Sequence, residues 1–219
     1  ALWTQAAGVI LSVGSWIPGL PDKPALLLRD AGLCLLAISA LVYLAGNGFL
    51  WRRPVFAVPR VPGTPSVAIR CAFGCLGLWA LLEIAAVVVS RTTRLPAQNP
   101  WWSDAARHTF TVGFLTLVII GMSFRILPVF SGKSLWSPRL AQATYALILL
   151  GTAMRLLQYP AAFDPLFYRI GSYMGIPVVL ALLLFTFNLM RTMRAKPASR
   201  PGSPAKQTPR SYVSTLPAR

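Results

Sequence analysis

Six apolar stretches, each close to the length of a bilayer-crossing helix, dominate this chain of 219 residues. Crossing the hydrocarbon core takes about 20 mostly apolar helical residues. The stretches run from about Leu2 to Ile17, Pro24 to Leu50, Val67 to Val89, Ala105 to Phe130, Leu140 to Gln158 and Tyr168 to Met190. Helix breakers fill the spacers: Pro18-Gly19, then Pro54, Pro59, Pro62, Gly63 and Pro65, then Pro96 and Pro100. Pro128, Gly132 and Pro138 close the fourth stretch, and Pro160 and Pro165 bracket the fifth spacer. Pro177 falls inside the sixth stretch and is expected to kink it, which membrane helices tolerate when neighbours satisfy the freed carbonyl. The pattern predicts an all-α, polytopic transmembrane helix bundle of about six helices over residues 1–194.

Charge supports this reading. Only 12% of the residues are charged, about half of what a water-facing domain carries. A net charge of +16 raises the question of nucleic acid. Nucleic-acid binders, however, gather their cations on one face of a polar domain, whereas here they fall between apolar runs and after Met190. The partner implied is the lipid bilayer, with no nucleic acid. From Ala195 onward the chain is mainly Lys, Arg, Pro, Ser and Ala, too little apolar surface to offset the entropy of folding, so residues 195–219 are expected to form a disordered basic cytoplasmic tail.

Counting cations on alternate sides orients the bundle. One side holds Arg52, Arg53, Arg60, Lys133, Arg139 and the seven basic residues from Arg191 onward; the other holds Lys23, Arg91, Arg94, Arg107 and Arg169. By the positive-inside rule the richer side is cytoplasmic, which implies a multi-pass protein of the cell inner membrane with both ends in the cytoplasm. The first residue is Ala and no basic segment precedes the first apolar run, so the sequence reads as a piece of a longer protein rather than as one opening on a signal peptide.

Ionisable groups inside a bilayer are rare and mark function or a partner. Arg29, Asp30, Glu83 and Arg155 fall in the outer half of the spans, and His108, the only histidine, lies near the outer end of the fourth beside Arg107. As a neutral imidazole His108 can ligate a metal; alternatively it hydrogen-bonds Glu83 or a carbonyl. Met122, Met154 and Met174 are second-ligand types that more often serve packing. Arg70 and Arg125 lie near the inner ends, where long side chains snorkel. Cys71 and Cys75 share a helix face, but thiolate metal sites need more ligands, so they read as small hydrophobes. Thr109, Gly113 and Gly121 form a stripe of small residues that permits close helix approach. With five acids and one histidine, no self-contained hydrolytic site can be assembled.

The run Ala106-Arg-His-Thr-Phe-Thr-Val-Gly-Phe114, followed by Gly121-Met122, Arg125, Ser131-Gly132-Lys133 and Pro138, resembles the NnrS family of polytopic haem- and copper-containing membrane proteins linked to nitric oxide metabolism. The likeness is clearest over residues 105–157. His108, Gly113, Met122, Arg125 and Arg155 match the family pattern in order and approximate spacing. The resemblance implies haem as cofactor, with His108 as a haem or metal ligand and Arg107, Arg155, Met122 and Arg125 in the cofactor-binding set. It also makes the chain look like the C-terminal half of a member, the missing N-terminal half or a partner subunit supplying further ligands. Where the family carries a histidine in a Gly-His-Thr-Gly run, this chain reads Leu127-Pro-Val-Phe-Ser-Gly132, which counts against copper. Two other classes stay open on the residues alone: a membrane transporter, and a structural subunit of a larger membrane complex. Whether the chain is an enzyme is not legible in its sequence.

Overall fold

Helix boundaries fall where the sequence supplies caps. Asp164 and Ser137 each sit in extended backbone and accept an amide of the first turn, from Leu166 (2.8 Å) and Leu140 (3.3 Å), with Pro165 and Pro138 occupying the position where a missing N–H costs nothing. Gly132 takes φ 63°, and the Lys133 amide closes back on the Pro128 carbonyl at 2.9 Å, a Schellman-type stop that favours glycine. The computed structural model describes residues 2–16, 21–47, 65–92, 100–157 and 164–195.

These residues form six helical rods and, among them, no strand. The rods are α1 (Leu2–Gly14); α2 (Asp22–Asn47); α3 (Pro65–Thr92); a composite of α4 (Pro100–His108), a π-helical stretch (Thr109–Thr116) and α5 (Leu117–Ser131); α6 (Pro138–Leu156); and α7 (Pro165–Ser172) leading into α8 (Gly175–Arg194). Four stretches are long and apolar enough to cross a membrane: residues 22–47, 66–92, 102–131 and 169–194. Ile119, Val129, Leu183 and other large apolar side chains are well exposed on them, an arrangement suited to lipid rather than to water. The protein is a multi-pass membrane protein.

The first rod is shorter than its sequence suggests. Its 13 residues rise about 20 Å, and the helix ends at Gly14, with Ser15 and Trp16 in a turn. It packs on α2 at a close approach: a methyl group on Gly32 would stand 2.8 Å from the Gly8 carbonyl oxygen. The fifth rod, α6, carries Arg139 and Arg155 and is not among the four. The sixth is interrupted at Tyr173 and Met174, ahead of Pro177, which lies in the first turn of α8. The proline ring clashes with the carbonyl four residues earlier, that of Tyr173, which accepts the Ile176 amide instead (3.0 Å). The basic tail beyond residue 195, and the loop cations Arg52, Arg53, Arg60 and Arg94, lie outside the described residues.

The rods pack in chain order, α1 on α2, α2 on α3, α3 on the π-helical stretch and α5, with α6 against that composite rod and against α8. Small residues make the contacts close, as helix association in lipid requires. Ala37, Ala40, Leu44, Leu76 and Ala80 form the α2–α3 core. Ala68, Ala72, Cys75, Leu117, Ile120, Phe124, Ala141, Tyr145, Ile148 and Ala181 form the second. Cys71 packs at its margin, so both cysteines of the pair contribute to helix packing.

Candidate functional site

The nine residues of α4 set Asp104 and His108 one turn apart on the same face. Ala105 and Ala106 are buried against the neighbouring helices and fix the rotation of α4. The Thr109 hydroxyl, fully buried, donates to the Ala105 carbonyl at 2.9 Å. The backbone then passes into eight π-helical residues, a rare geometry often found beside functional sites. Gly113 lies at its centre, where an added methyl would meet Cys75 Cβ and Sγ at 3.0 Å and Thr152 Cγ2 at 3.1 Å. The stretch is thereby wedged between α3 and α6, which faces Asp104 toward Arg155 in the last turn of α6.

Asp104 organises the site. Its Oδ2 pairs with Arg155 Nη2 at 2.5 Å and its Oδ1 lies 3.3 Å from His108 Nδ1. The Asp104 backbone carbonyl oxygen stands closer still to the same ring nitrogen, at 2.8 Å. A carbonyl can only accept, so Nδ1 carries the proton and donates, and in the neutral ring Nε2 is left with its lone pair. The three side chains are partly exposed, at 28% for Asp104, 25% for His108 and 17% for Arg155. Arg155 Nε is itself buried without a partner among the described residues, an uncompensated donor on a cation whose Nη2 is already engaged.

The sequence-derived residues divide on this geometry. His108 and Arg155 come together, joined by Asp104, which sequence reasoning passed over. Arg107 is exposed, and its contribution is a carbonyl that accepts the Thr111 hydroxyl. Met122 and Arg125 are exposed and lie 14 and 17 positions beyond His108, roughly 20 Å or more along the rod, so the fold does not bring either one beside it. Met154 is half-buried and Met174 buried, the latter backed against Gly151. Among the described residues no three His, Cys, Asp or Glu side chains converge.

The other polar groups that the sequence put in the outer half form a second cluster. Asp30, 5% exposed, holds Arg91 Nη2 at 2.7 Å and lies 3.6 Å from Arg29 Nη2, tying α2 to α3. Glu83 accepts from the Trp79 indole at 3.1 Å rather than meeting His108. Trp79 in turn packs on Phe110, centroids 5.0 Å apart, two residues beyond His108. The polar groups expected at one depth are thus two ion-pair clusters, Asp30 with Arg29 and Arg91 and Asp104 with His108 and Arg155, together with the Glu83–Trp79 hydrogen bond.

An imidazole whose Nδ1–H is held by a carbonyl and a carboxylate is oriented as metal-bound histidines are, with Nε2 presented as the donor. The described residues fit a single imidazole donor, and the buried Arg155 Nε fits an anionic oxygen. No curated protein and no solved structure matches the sequence. The family model described as NnrS protein matches residues 4–196. That match runs from the first helix through the last and takes in both ion-pair clusters, and the chain belongs to the NnrS family.

Proposed function

We propose that the protein is a haem-associated membrane protein of the NnrS type, linked to nitric oxide metabolism or the response to nitric oxide stress. In this reading His108 Nε2 would hold the haem iron or a metal, and Arg155 would pair a propionate. The observation that carries it is the clamp on His108 Nδ1, held at 2.8 Å by a carbonyl that can only accept. Haem would supply an iron able to bind a diatomic gas. The chain's own residues orient the imidazole (Asp104), neutralise a carboxylate (Arg155) and hold α4 against α6. The reading places the protein in the inner membrane with both ends cytoplasmic, and leaves room for further ligands from an N-terminal half or a partner subunit. Absorption spectra of the purified protein with and without His108→Ala test it: loss or shift of the Soret band is expected, and an unchanged band ends the assignment.

The Asp104–Arg155 bridge favours one second reading, a structural subunit in which the site is only a helix clamp. Arg155→Leu separates the two: lost assembly with cofactor content unchanged per folded protein supports the clamp, and lost cofactor in an assembled protein supports haem.

A further inference from the structure

The two ends of the bundle differ completely in acid content. All five acids, Asp22, Asp30, Glu83, Asp104 and Asp164, fall in the half where α2 begins, α3 finishes, and Asp104 meets Arg155. The opposite end carries Arg70, Arg125, Lys133, Arg139, Arg191 and Arg194 among the described residues, and no acid. A surface of this kind attracts anionic lipid headgroups without a compensating attraction for zwitterionic ones.

From that end a groove of about 390 Å³ runs between α2 and α3, lined by Leu41, Leu44, Ala45, Gly74, Gly77, Leu78 and Leu81. Leu44 is its buried floor. The groove exists because glycines stand where side chains would fill it: a methyl on Gly74 would meet nothing within 4 Å. Arg70, Gly74, Gly77 and Leu81 recur at spacings of four, three and four, so they share one face of α3. Arg70 is exposed one turn before Gly74 on that face, with no partner among the described residues. The 11 positions from Arg70 to Leu81 rise about 16 Å, half the hydrocarbon core and so the depth of one leaflet. A partner transmembrane helix would need a face crossing both leaflets. An acyl chain needs one.

We propose that this groove binds one anionic phospholipid, its phosphate on the Arg70 guanidinium and one acyl chain along Gly74, Gly77 and Leu81. A guanidinium fork suits a phosphate, and the apolar lining offers the chain a fixed seat rather than a fluid one. The site lies on helices apart from His108, and its occupancy can be read without any cofactor.

Native mass spectrometry of the full chain, after reconstitution with equimolar phosphatidylglycerol and phosphatidylcholine vesicles and extraction in mild detergent, tests the proposal. One retained phosphatidylglycerol per chain is expected, in preference to phosphatidylcholine. Arg70→Gln, an exposed substitution that leaves the fold intact, is expected to lower phosphatidylglycerol retention about fivefold while phosphatidylcholine stays unchanged. Gly74→Leu fills the groove and is expected to lower retention of both. Equal retention of the two lipids by the unaltered protein, or an Arg70→Gln variant indistinguishable from it, overturns the proposal. So does a lipid-free dimer cross-linked through Gly74→Cys, which would make a second copy the occupant.

Discussion

Asn188, wholly buried in α8, exchanges two hydrogen bonds with the backbone of Ser137: its Oδ1 accepts the Ser137 amide (3.1 Å) and its Nδ2 donates to the Ser137 carbonyl (2.8 Å). One turn on, Thr192 Oγ1 accepts the Trp136 amide at 3.0 Å, and Lys133 Nζ donates to the Met193 carbonyl. Arg191 stacks on Trp136 at 5.6 Å from the ring centroid. The loop between α5 and α6 is therefore strapped to the end of α8, which fixes where α6 starts. Asn188→Leu strands the Ser137 amide, while the Ser137 carbonyl keeps the Ala141 amide at 3.3 Å, and leaving a buried polar group unpaired costs about 1–3 kcal/mol. Thermal unfolding in detergent should show a lowered Tm for Asn188→Leu, which gives up two hydrogen bonds to the loop, with a smaller loss for Thr192→Val, which gives up one.

Gly113 and Gly74 make a matched pair of substitutions. Both lie in rods long and apolar enough to cross the membrane, but a methyl on Gly113 would press on Cys75 and Thr152 at 3.0–3.1 Å while one on Gly74 enters open space. Overpacking a close helix contact costs about 1–3 kcal/mol; replacing an exposed helical glycine by alanine gains up to about 1 kcal/mol. Gly113→Ala should lower the Tm and Gly74→Ala should hold or raise it, as measured on the two variants in the same detergent.

Met122 and Arg125 test the boundaries of the site. Both are exposed on α5 and stand several turns from His108. Met122→Leu and Arg125→Gln should leave any haem absorption of the protein at its original position and intensity. A displaced Soret band in either variant would require a cofactor reaching far from the His108 face.

Much of the architecture is legible because bilayer thickness imposes a length on apolar runs, and breakers such as Gly132, Pro138 and Pro165 punctuate them. The first run misleads for the same reason: composition shows that residues 2–17 are apolar, not that the helix stops at Gly14. His108 and Arg155 stand out because ionisable groups are costly in lipid. Asp104 does not, since it precedes the apolar stretch read from Ala105 and looks like part of a loop, although its four-residue spacing from His108 was a local signal. Its pairing with Arg155, and that of Asn188 with Ser137, join residues 51 positions apart. No local pattern encodes such contacts; they follow from how the rods pack.

The Asp104–Arg155 pair also allows the site to be separated from the fold energetically. Removing one member leaves its partner charged and uncompensated in a partly buried position, a loss of about 3–5 kcal/mol when burial is complete. At 28% and 17% exposure for the two side chains the loss should fall below that range. Asp104→Ala and Arg155→Leu should each destabilise the protein, and the double variant should be more stable than the sum of the two losses predicts, because neither charge is then stranded. Asp104→Ala differs from Arg155→Leu in one further respect: it removes the Oδ1 contact on His108 Nδ1 while the Asp104 carbonyl, a backbone group, still holds the ring. His108 should therefore keep its tautomer in Asp104→Ala. Nitrogen NMR of the labelled imidazole checks this, with a protonated Nδ1 expected in the unaltered protein and in both single variants. A switch of the proton to Nε2 in Asp104→Ala would assign the orienting role to the carboxylate instead of the carbonyl.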